Sequence, residues 1–355
     1  MSKATVWAIE PHTKAKHEIL ERYLEAWFPI MASWNTRVLF LDGFAGPGVY
    51  EGGEPGSPRI AVGAALKQQR MLAESTVMFL FNEQNKQRFD KLEEWRIGAM
   101  QEVPKNFQLY TRNEDFTDLA SKIIEDRNDK RLVPTFAFVD PFGFKVPIEV
   151  ICSLVRDVRS ELFILFSYNT VNRWIGVPEQ WPNMDNLFGT QEYREAEGLT
   201  PSERKEFLAL LYERQLRKFG NFDYVSRFEM IESRGRTSYF LYHCTRSLKG
   251  LEVMRSAMWK IDQHRGCQFS DRVAGLEPIF SGPIVFDLDT RLEESFSGQT
   301  VSIKTIQDFV LTDTPYALEH LKKKTLKPMQ EAGRIECINQ GRRGTFPDRV
   351  SIKFP

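Results

Sequence analysis

Cysteine is scarce: Cys152, Cys244, Cys267 and Cys337 are widely separated in 355 residues and form no Cys-x-x-Cys pair. That spacing argues against a disulfide framework or a zinc site, and it points to reduced thiols in a cytoplasmic setting. No metal is expected. Apolar runs long enough to span a bilayer, ~18–20 residues, are lacking, so no membrane partner is expected. The first twenty residues lack the apolar stretch and small-residue cleavage site of a secretory signal. Net charge is lacking as well: 48 Lys and Arg balance 48 Asp and Glu, so no global field demands a polyanionic partner. Repeats and low-complexity tracts are absent. What is abundant is core material. With 27 Phe, 10 Tyr and 7 Trp, the chain is folded, and its length suits about two domains.

The spacing of Ile19, Leu20, Tyr23, Leu24, Trp27 and Phe28 predicts a helix over 13–28. Apolar runs at 37–42, 76–81, 107–110, 135–139 and 162–166 read as strands buried on both faces of a parallel sheet. Helical stretches at 60–73, 86–100, 119–126 and 148–158 separate them. This alternation predicts an open, Rossmann-like α/β sheet with helices on both faces. Residues 171–221 break the rhythm and read as a helical insertion over one sheet edge. Strands at 224–231 and 237–245 read as an antiparallel hairpin, followed by a helix at 248–261. From 301, two helices (303–311 and 316–332) precede a short hairpin, a pattern that resembles a winged helix. The expected division is an α/β domain over 1–300 and a winged-helix-like domain over 301–355.

The segment Leu41-Asp42-Gly43-Phe44-Ala45-Gly46-Pro47-Gly48 joins a strand ending in an acid to a glycine-rich turn. Glycine lets backbone approach a ligand closely, and open α/β sheets bind ligands beyond the carboxyl ends of their strands. No Gly-Lys-Ser/Thr closes the turn, so it is not a nucleotide-triphosphate loop. Glu83, Asp115 and Asp140 follow the second, third and fourth strands and mark the same sheet edge as Asp42. Each alone is explained equally well as a helix cap or a solvated loop residue. Four at successive strand ends suggest a binding site, with Glu83 placed to accept from a ribose diol.

This order of elements resembles a class I S-adenosylmethionine-dependent methyltransferase. The resemblance implies S-adenosylmethionine as cofactor, held by Asp42, Gly43, Phe44, Gly46 and Gly48 at its methionine end. It further implies Glu83 at the ribose and Asp115 with Phe116 near the adenine. Asp140-Pro141-Phe142-Gly143 is similar to the Asp-Pro-Pro-Tyr motif of amino-methyltransferases acting on bases. There the carboxylate and a proline-adjacent carbonyl accept the two N–H groups of an exocyclic amine, which gives Asp140, Pro141 and Phe142 catalytic roles. Phe142 or Phe144 would stack on the base, flipped from any duplex. Phe142 and Gly143 stand where Pro and Tyr are expected, so the acceptor stays open. A closer resemblance, to the three-Cys-motif partner protein family, is carried by His12–Leu20, Leu41–Gly48, Tyr50–Pro58, Val139–Gly143, Ala257–Lys260 and the C-terminal segment. It implies a three-Cys-motif protein, encoded nearby, as a partner.

Lys14, Lys16 and His17 begin the first helix, either closing over a cofactor carboxylate or phosphate or forming a solvated helix start. Charge is unevenly spread. Residues 234–265 hold seven Lys and Arg against Glu252 and Asp262, and residues 301–355 hold ten against six acids. Such asymmetry suits a localised nucleic-acid face, with Lys322, Lys323, Lys324, Arg342 and Arg343 as the densest clusters. An ordinary solvated face or a protein-binding module fits the same charges. The leading expectation is a methyltransferase acting on DNA or RNA at a base amino nitrogen. The alternative is a methyltransferase-like adaptor without catalysis; a magnesium nuclease, which leaves the Gly-rich turn without a role, ranks third.

Overall fold

The structure, a computed structural model, describes residues 5–126, 133–141, 143–272 and 287–355, which fall into two compact units. The first unit takes residues 1–247 and 269–274. Its strands are β1 (Arg37–Asp42), β2 (Thr76–Asn82), β3 (Phe107–Arg112), β4 (Thr135–Val139), β5 (Glu161–Phe166), β6 (Tyr224–Ile231), β7 (Thr237–Thr245) and β8 (Gln268–Ser270). They lie in the order β3-β2-β1-β4-β5-β7-β6-β8. β1 pairs in parallel with both β2 and β4, β2 with β3, and β4 with β5, whereas β7 runs antiparallel to β5 and β6. The expected Rossmann-like α/β sheet is present, mostly parallel, and its strand order reverses between β1 and β4.

Helices cover both faces. Helix α1 (Pro11–Ala32), α2 (Ser57–Lys67) and α3 (Lys86–Glu102) accompany the β1–β3 half, while α4 (Phe116–Glu125) and α5 (Ile148–Leu154) follow the reversal. α1 buries Ile19, Leu20, Tyr23, Leu24, Trp27 and Phe28. These meet a layer of rings on the strands, in which Phe40 stacks on Phe136 at 6.0 Å and Phe28 lies 5.8 Å from Phe79. Burying rings of this size contributes about 1.5–3 kcal/mol each before entropy is subtracted. Glu161, at the start of β5, is buried and accepts from the Tyr23 hydroxyl of α1 and, at 2.7 Å, from the Thr245 hydroxyl of β7.

The stretch expected to lie over one sheet edge is a layer instead. Helices α6 (Tyr168–Trp174), α7 (Trp181–Phe188) and α8 (Pro201–Gly220) share a core with α4, α5 and β5 through Leu208, Tyr212, Phe166 and Phe188. Tyr212 stacks on Phe166 at 4.5 Å. α8 starts where the Glu203 carboxylate reaches back to accept the Thr200 N–H at 3.1 Å and the Thr200 hydroxyl at 2.6 Å. It stops where Asn221 turns left-handed.

The second unit takes residues 248–268 and 275–355, so it begins well before the expected boundary at 301. α9 (Leu248–Ile261), α10 (Leu288–Phe296), α11 (Ile303–Asp313), α12 (Leu318–Leu321) and α13 (Lys327–Glu331) surround a core containing Trp259, Leu292, Ile306, Val310, Leu326 and Ile352. Residues Lys322–Leu326 join α12 to α13 by a wide π-type turn. Three antiparallel strands complete it, in the order β10 (Glu336–Ile338), β11 (Ser351–Lys353), β9 (Thr300–Ser302). The short hairpin expected from the sequence is thus joined by a third strand. Among the described residues, no helix is long and apolar enough to cross a membrane.

Candidate cofactor and acceptor site

β1 delivers Asp42 to the reversal point of the sheet, and fourteen residues of loop separate it from α2. Gly43 prolongs the strand, its N–H donating to the Phe138 carbonyl of β4 at 3.0 Å. Gly46 and Gly48 adopt φ of +62° and +75°, the left-handed region that side chains with a Cβ rarely enter. The Phe116 ring presses on Gly43 so closely that a Cβ there would lie 2.5 Å from it. Asn82, at the end of β2, ties the parts together. Its side-chain amide donates to the carbonyls of Gly43 (3.2 Å) and Glu114 (3.1 Å), and its backbone carbonyl accepts from the Ala45 N–H at 2.8 Å.

The Asp42 carboxyl is wholly buried. Oδ1 accepts the Phe44 N–H at 3.0 Å, and Oδ2 has no hydrogen-bond partner among the described residues. Burial pushes its pKa up to about 7, with Asp140 adding to the rise; the Ser57 hydroxyl, the Phe44 N–H and Lys16 oppose it. Ser57 is thus close without completing a bond to Oδ2.

α1 supplies the other side of the cavity. Lys16 is buried and its ammonium pairs with Asp140 Oδ2, with the rings of Phe138 and Tyr239 at 6.0 and 5.9 Å. His17 is also buried, and its Nδ1 lacks a partner among the described residues. Burial, reinforced by the Lys16 charge, holds its pKa well below the usual imidazole value. The solvated-start reading of this segment fails for both residues and holds only for Lys14, exposed beside Glu54 at 3.7 Å. His12 locks the helix start in place through Asp271 (2.8 Å) and an edge contact with the Tyr239 ring. The cavity so formed is lined by His17, Gly46, Gly48, Tyr50, Ser57 and Asp140, among others.

Of the remaining sequence candidates, Phe44 lines the cavity, whereas Glu83, Asp115, Phe116 and Pro141 are not among its lining residues. Glu83 is buried, with Oε1 accepting the Asn85 N–H at 2.7 Å. Burial raises its pKa against the pull of the Asn85 N–H, the Arg88 charge and the Gly46 N–H. Asp115 is exposed and caps α4 through the Thr117 and Asp118 N–H groups. Oδ1 does the capping, and Oδ2 accepts from the Gln84 side-chain amide at 3.3 Å, so the cap reading of Asp115 is the one the structure bears out. Phe44 and Phe116 lie 5.1 Å apart, ring to ring. Asp140 and Pro141 close β4, whereas Phe142 lies outside the described residues. Phe144 packs in the core with Val146 and Ile148, so it is not an exposed stacking face. Sequence reading missed Asn82 and Tyr239 entirely; neither sits in a motif, and only the fold brings them to this edge.

In the second unit, Lys323, Lys324, Arg342 and Arg343 are exposed and Lys322 is half-buried. The basic run at 234–265 is divided between the two units, and two of its arginines are engaged internally. Arg246 donates to the carbonyls of Asn221, Val155, Asp157, Ser160 and Gly220, acting as an internal staple of the first unit. Arg255 is spent on the Thr314 carbonyl inside the second. The four cysteines are free thiols, and no cluster of metal-ligating groups occurs among the described residues.

No family model matches the chain, and no curated protein matches it. The three-Cys-motif resemblance is therefore carried by its sequence motifs alone. Solved structures do align. A Klebsiella pneumoniae protein described as an O-methyltransferase is 10% identical over 64% of this chain and 80% of its own, with a TM-score of 0.33. The geranyl diphosphate C-methyltransferase of Streptomyces coelicolor, solved with S-adenosyl-L-homocysteine, is 12% identical over 59% and 72%, at 0.26. A SAM-dependent methyltransferase of Methanosarcina mazei is 14% identical over 61% and 97%, at 0.24. Likenesses this faint assign neither ligand nor substrate.

Proposed function

We propose that this chain is an S-adenosylmethionine-dependent methyltransferase acting on nucleic acid at a base amino nitrogen. The observation that carries the reading is the cavity at the strand-order reversal, walled by left-handed glycines on one side and Asp140 on the other. The unpartnered Oδ2 of buried Asp42, beside the lining residue Ser57, suits a cofactor with a cationic donor. When bound, S-adenosylmethionine supplies an activated methyl group on a sulfonium. Glu83 retains one carboxylate oxygen for the ribose, and Asp115 with Phe116 borders the adenine. Asp140, its Oδ2 held by Lys16, presents Oδ1 to an N–H of the acceptor, with the Pro141 carbonyl for the second. Holding donor and acceptor in line is the protein's main contribution to rate.

In this proposal the second unit is a winged-helix-like module. Lys322, Lys323, Lys324, Arg342 and Arg343 contact phosphates, which positions nucleic acid without reading its sequence. A second reading has support from two observations: Lys16 already occupies Asp140, and Phe144 is committed to the core. Both suit an adaptor that keeps a cofactor pocket and partners a three-Cys-motif protein without catalysis. Calorimetry with S-adenosylmethionine, followed by methyl transfer from labelled cofactor to DNA and RNA, separates the two. Binding with transfer supports the enzyme, binding without transfer supports the adaptor, and no binding defeats both.

A further inference from the structure

The cavity holds an unpartnered buried group that the glycine-rich loop does not account for. His17 lines it, is more than nine-tenths buried, and has an Nδ1 with no partner among the described residues. An unmet buried ring nitrogen is costly to the fold, so its persistence asks for a ligand atom that meets it. Burial and the adjacent Lys16 keep the imidazole neutral, with one N–H to give and one lone pair.

The surroundings say which atom. Ser57, on the same cavity wall, is the first residue of α2, an eleven-residue helix whose amino end carries partial positive charge. The Gly56 N–H there is spent on the Gly48 carbonyl at 3.0 Å, and Pro58 has none to offer. With Ser57 turned toward Asp42, the His17 ring nitrogen is an unpartnered side-chain donor for an anion on this lining, beside the Tyr50 and Trp7 rings. Asp140, the one carboxylate on the lining among the described residues, has its charge offset by Lys16. No described Lys or Arg lines the cavity itself. A singly charged carboxylate fits that balance, whereas a doubly charged phosphate would be left short of countercharge.

We propose that His17 donates from Nδ1 to the α-carboxylate of the cofactor's amino-acid end, seated at the amino end of α2. This rests on the methyltransferase reading and extends it by making α1, outside the glycine-rich loop, a determinant of which ligand the pocket accepts. The protein should then distinguish S-adenosylhomocysteine from 5′-methylthioadenosine, which keeps the nucleoside and lacks the amino-acid end.

Calorimetry on the full chain tests this with both ligands. His17→Phe should lower affinity for S-adenosylhomocysteine about tenfold or more, the loss of one hydrogen bond to a charged group, and leave 5′-methylthioadenosine within about twofold. His17→Asn, whose amide stands near the place of Nδ1, should restore most of the affinity; His17→Gln, whose amide reaches past it, should not. The Gln variant also serves if the Phe variant does not fold. Equal losses for both ligands, or undiminished S-adenosylhomocysteine binding in a folded Phe or Gln variant, would overturn the assignment while leaving the methyltransferase reading in place. Displacement of S-adenosylhomocysteine by inorganic phosphate in wild type but not in His17→Phe would reassign the subsite to phosphate. Wild-type protein that binds neither nucleoside defeats the methyltransferase reading and this inference with it.

Discussion

Asp42 shows how a single residue can set a pH dependence. Below its unfolded value of 3.8, the carboxyl is protonated in both states; above about 7 it is ionised in both. Between them the folded chain keeps a proton that the unfolded chain has lost, so stability falls as pH rises through that window. Asp42→Asn should remove this contribution, on the order of 1–4 kcal/mol, leaving a flatter stability profile between pH 4 and 7 than wild type. Urea titrations of both proteins at four pH values measure it, and parallel profiles would mean that Asp42 is ionised throughout. Asp42, Glu83 and Asp140 were legible in the sequence because a strand end is a one-dimensional property. The partnership of Lys16 with Asp140 was not, since it joins positions 124 residues apart through a sheet crossing that no local pattern encodes.

At the scale of elements, the turn after β1 depends on contacts from its neighbours as much as on its own glycines. Gly43→Ala would force a methyl group to within 2.5 Å of the Phe116 ring and so displace α4 or the loop. Overpacking of this kind costs about 1–3 kcal/mol. Thermal unfolding should show the loss, and adding Phe116→Leu should recover part of it, because the two changes share one contact. A full additive loss in the double variant would place the strain elsewhere. The glycines were readable from sequence, but the ring that makes Gly43 obligatory was not. The region 171–221 teaches the same thing in reverse. Its helical character was visible, yet a helical stretch does not say which surface its apolar side will cover. Hence a layer packed on α5 and β5 read as an edge insertion.

For the molecule as a whole, the question is how an electrically neutral chain would hold a polyanion. Neutrality is a sum, and the exposed Arg342 and Arg343 sit in a unit whose charge is positive from residue 301 onward. Removing a cation that neutralises one phosphate should reduce the log–log salt slope of nucleic-acid binding by ~0.7–0.9. Arg342→Ala with Arg343→Ala should therefore give a shallower slope while affinity for S-adenosylhomocysteine stays put, since the cavity is built in the first unit. Fluorescence anisotropy with a short duplex and a single strand, across a salt series, measures the slope. An unchanged slope would turn these arginines toward a protein partner. The two-unit division was only partly legible, because the change of pattern at 301 is conspicuous whereas α9 looks like any other helix following a hairpin.

The buried carboxylate of Glu161 has a consequence for how the chain is made. A ribosome releases Tyr23 first, Glu161 138 residues later, and Thr245 a further 84 residues on. Until that last hydroxyl emerges, and with it the strand that lies against β5, the acid is only half satisfied in a part of the sheet already closed to water on one side. The growing chain thus has no early resting place: nearly the whole first unit must wait for β7 to be threaded between two other strands. Nascent chains arrested with residue 221 just outside the exit tunnel should be cut readily by protease, and those arrested with residue 260 outside should resist. Equal resistance at both lengths would mean that the parallel half of the sheet consolidates alone.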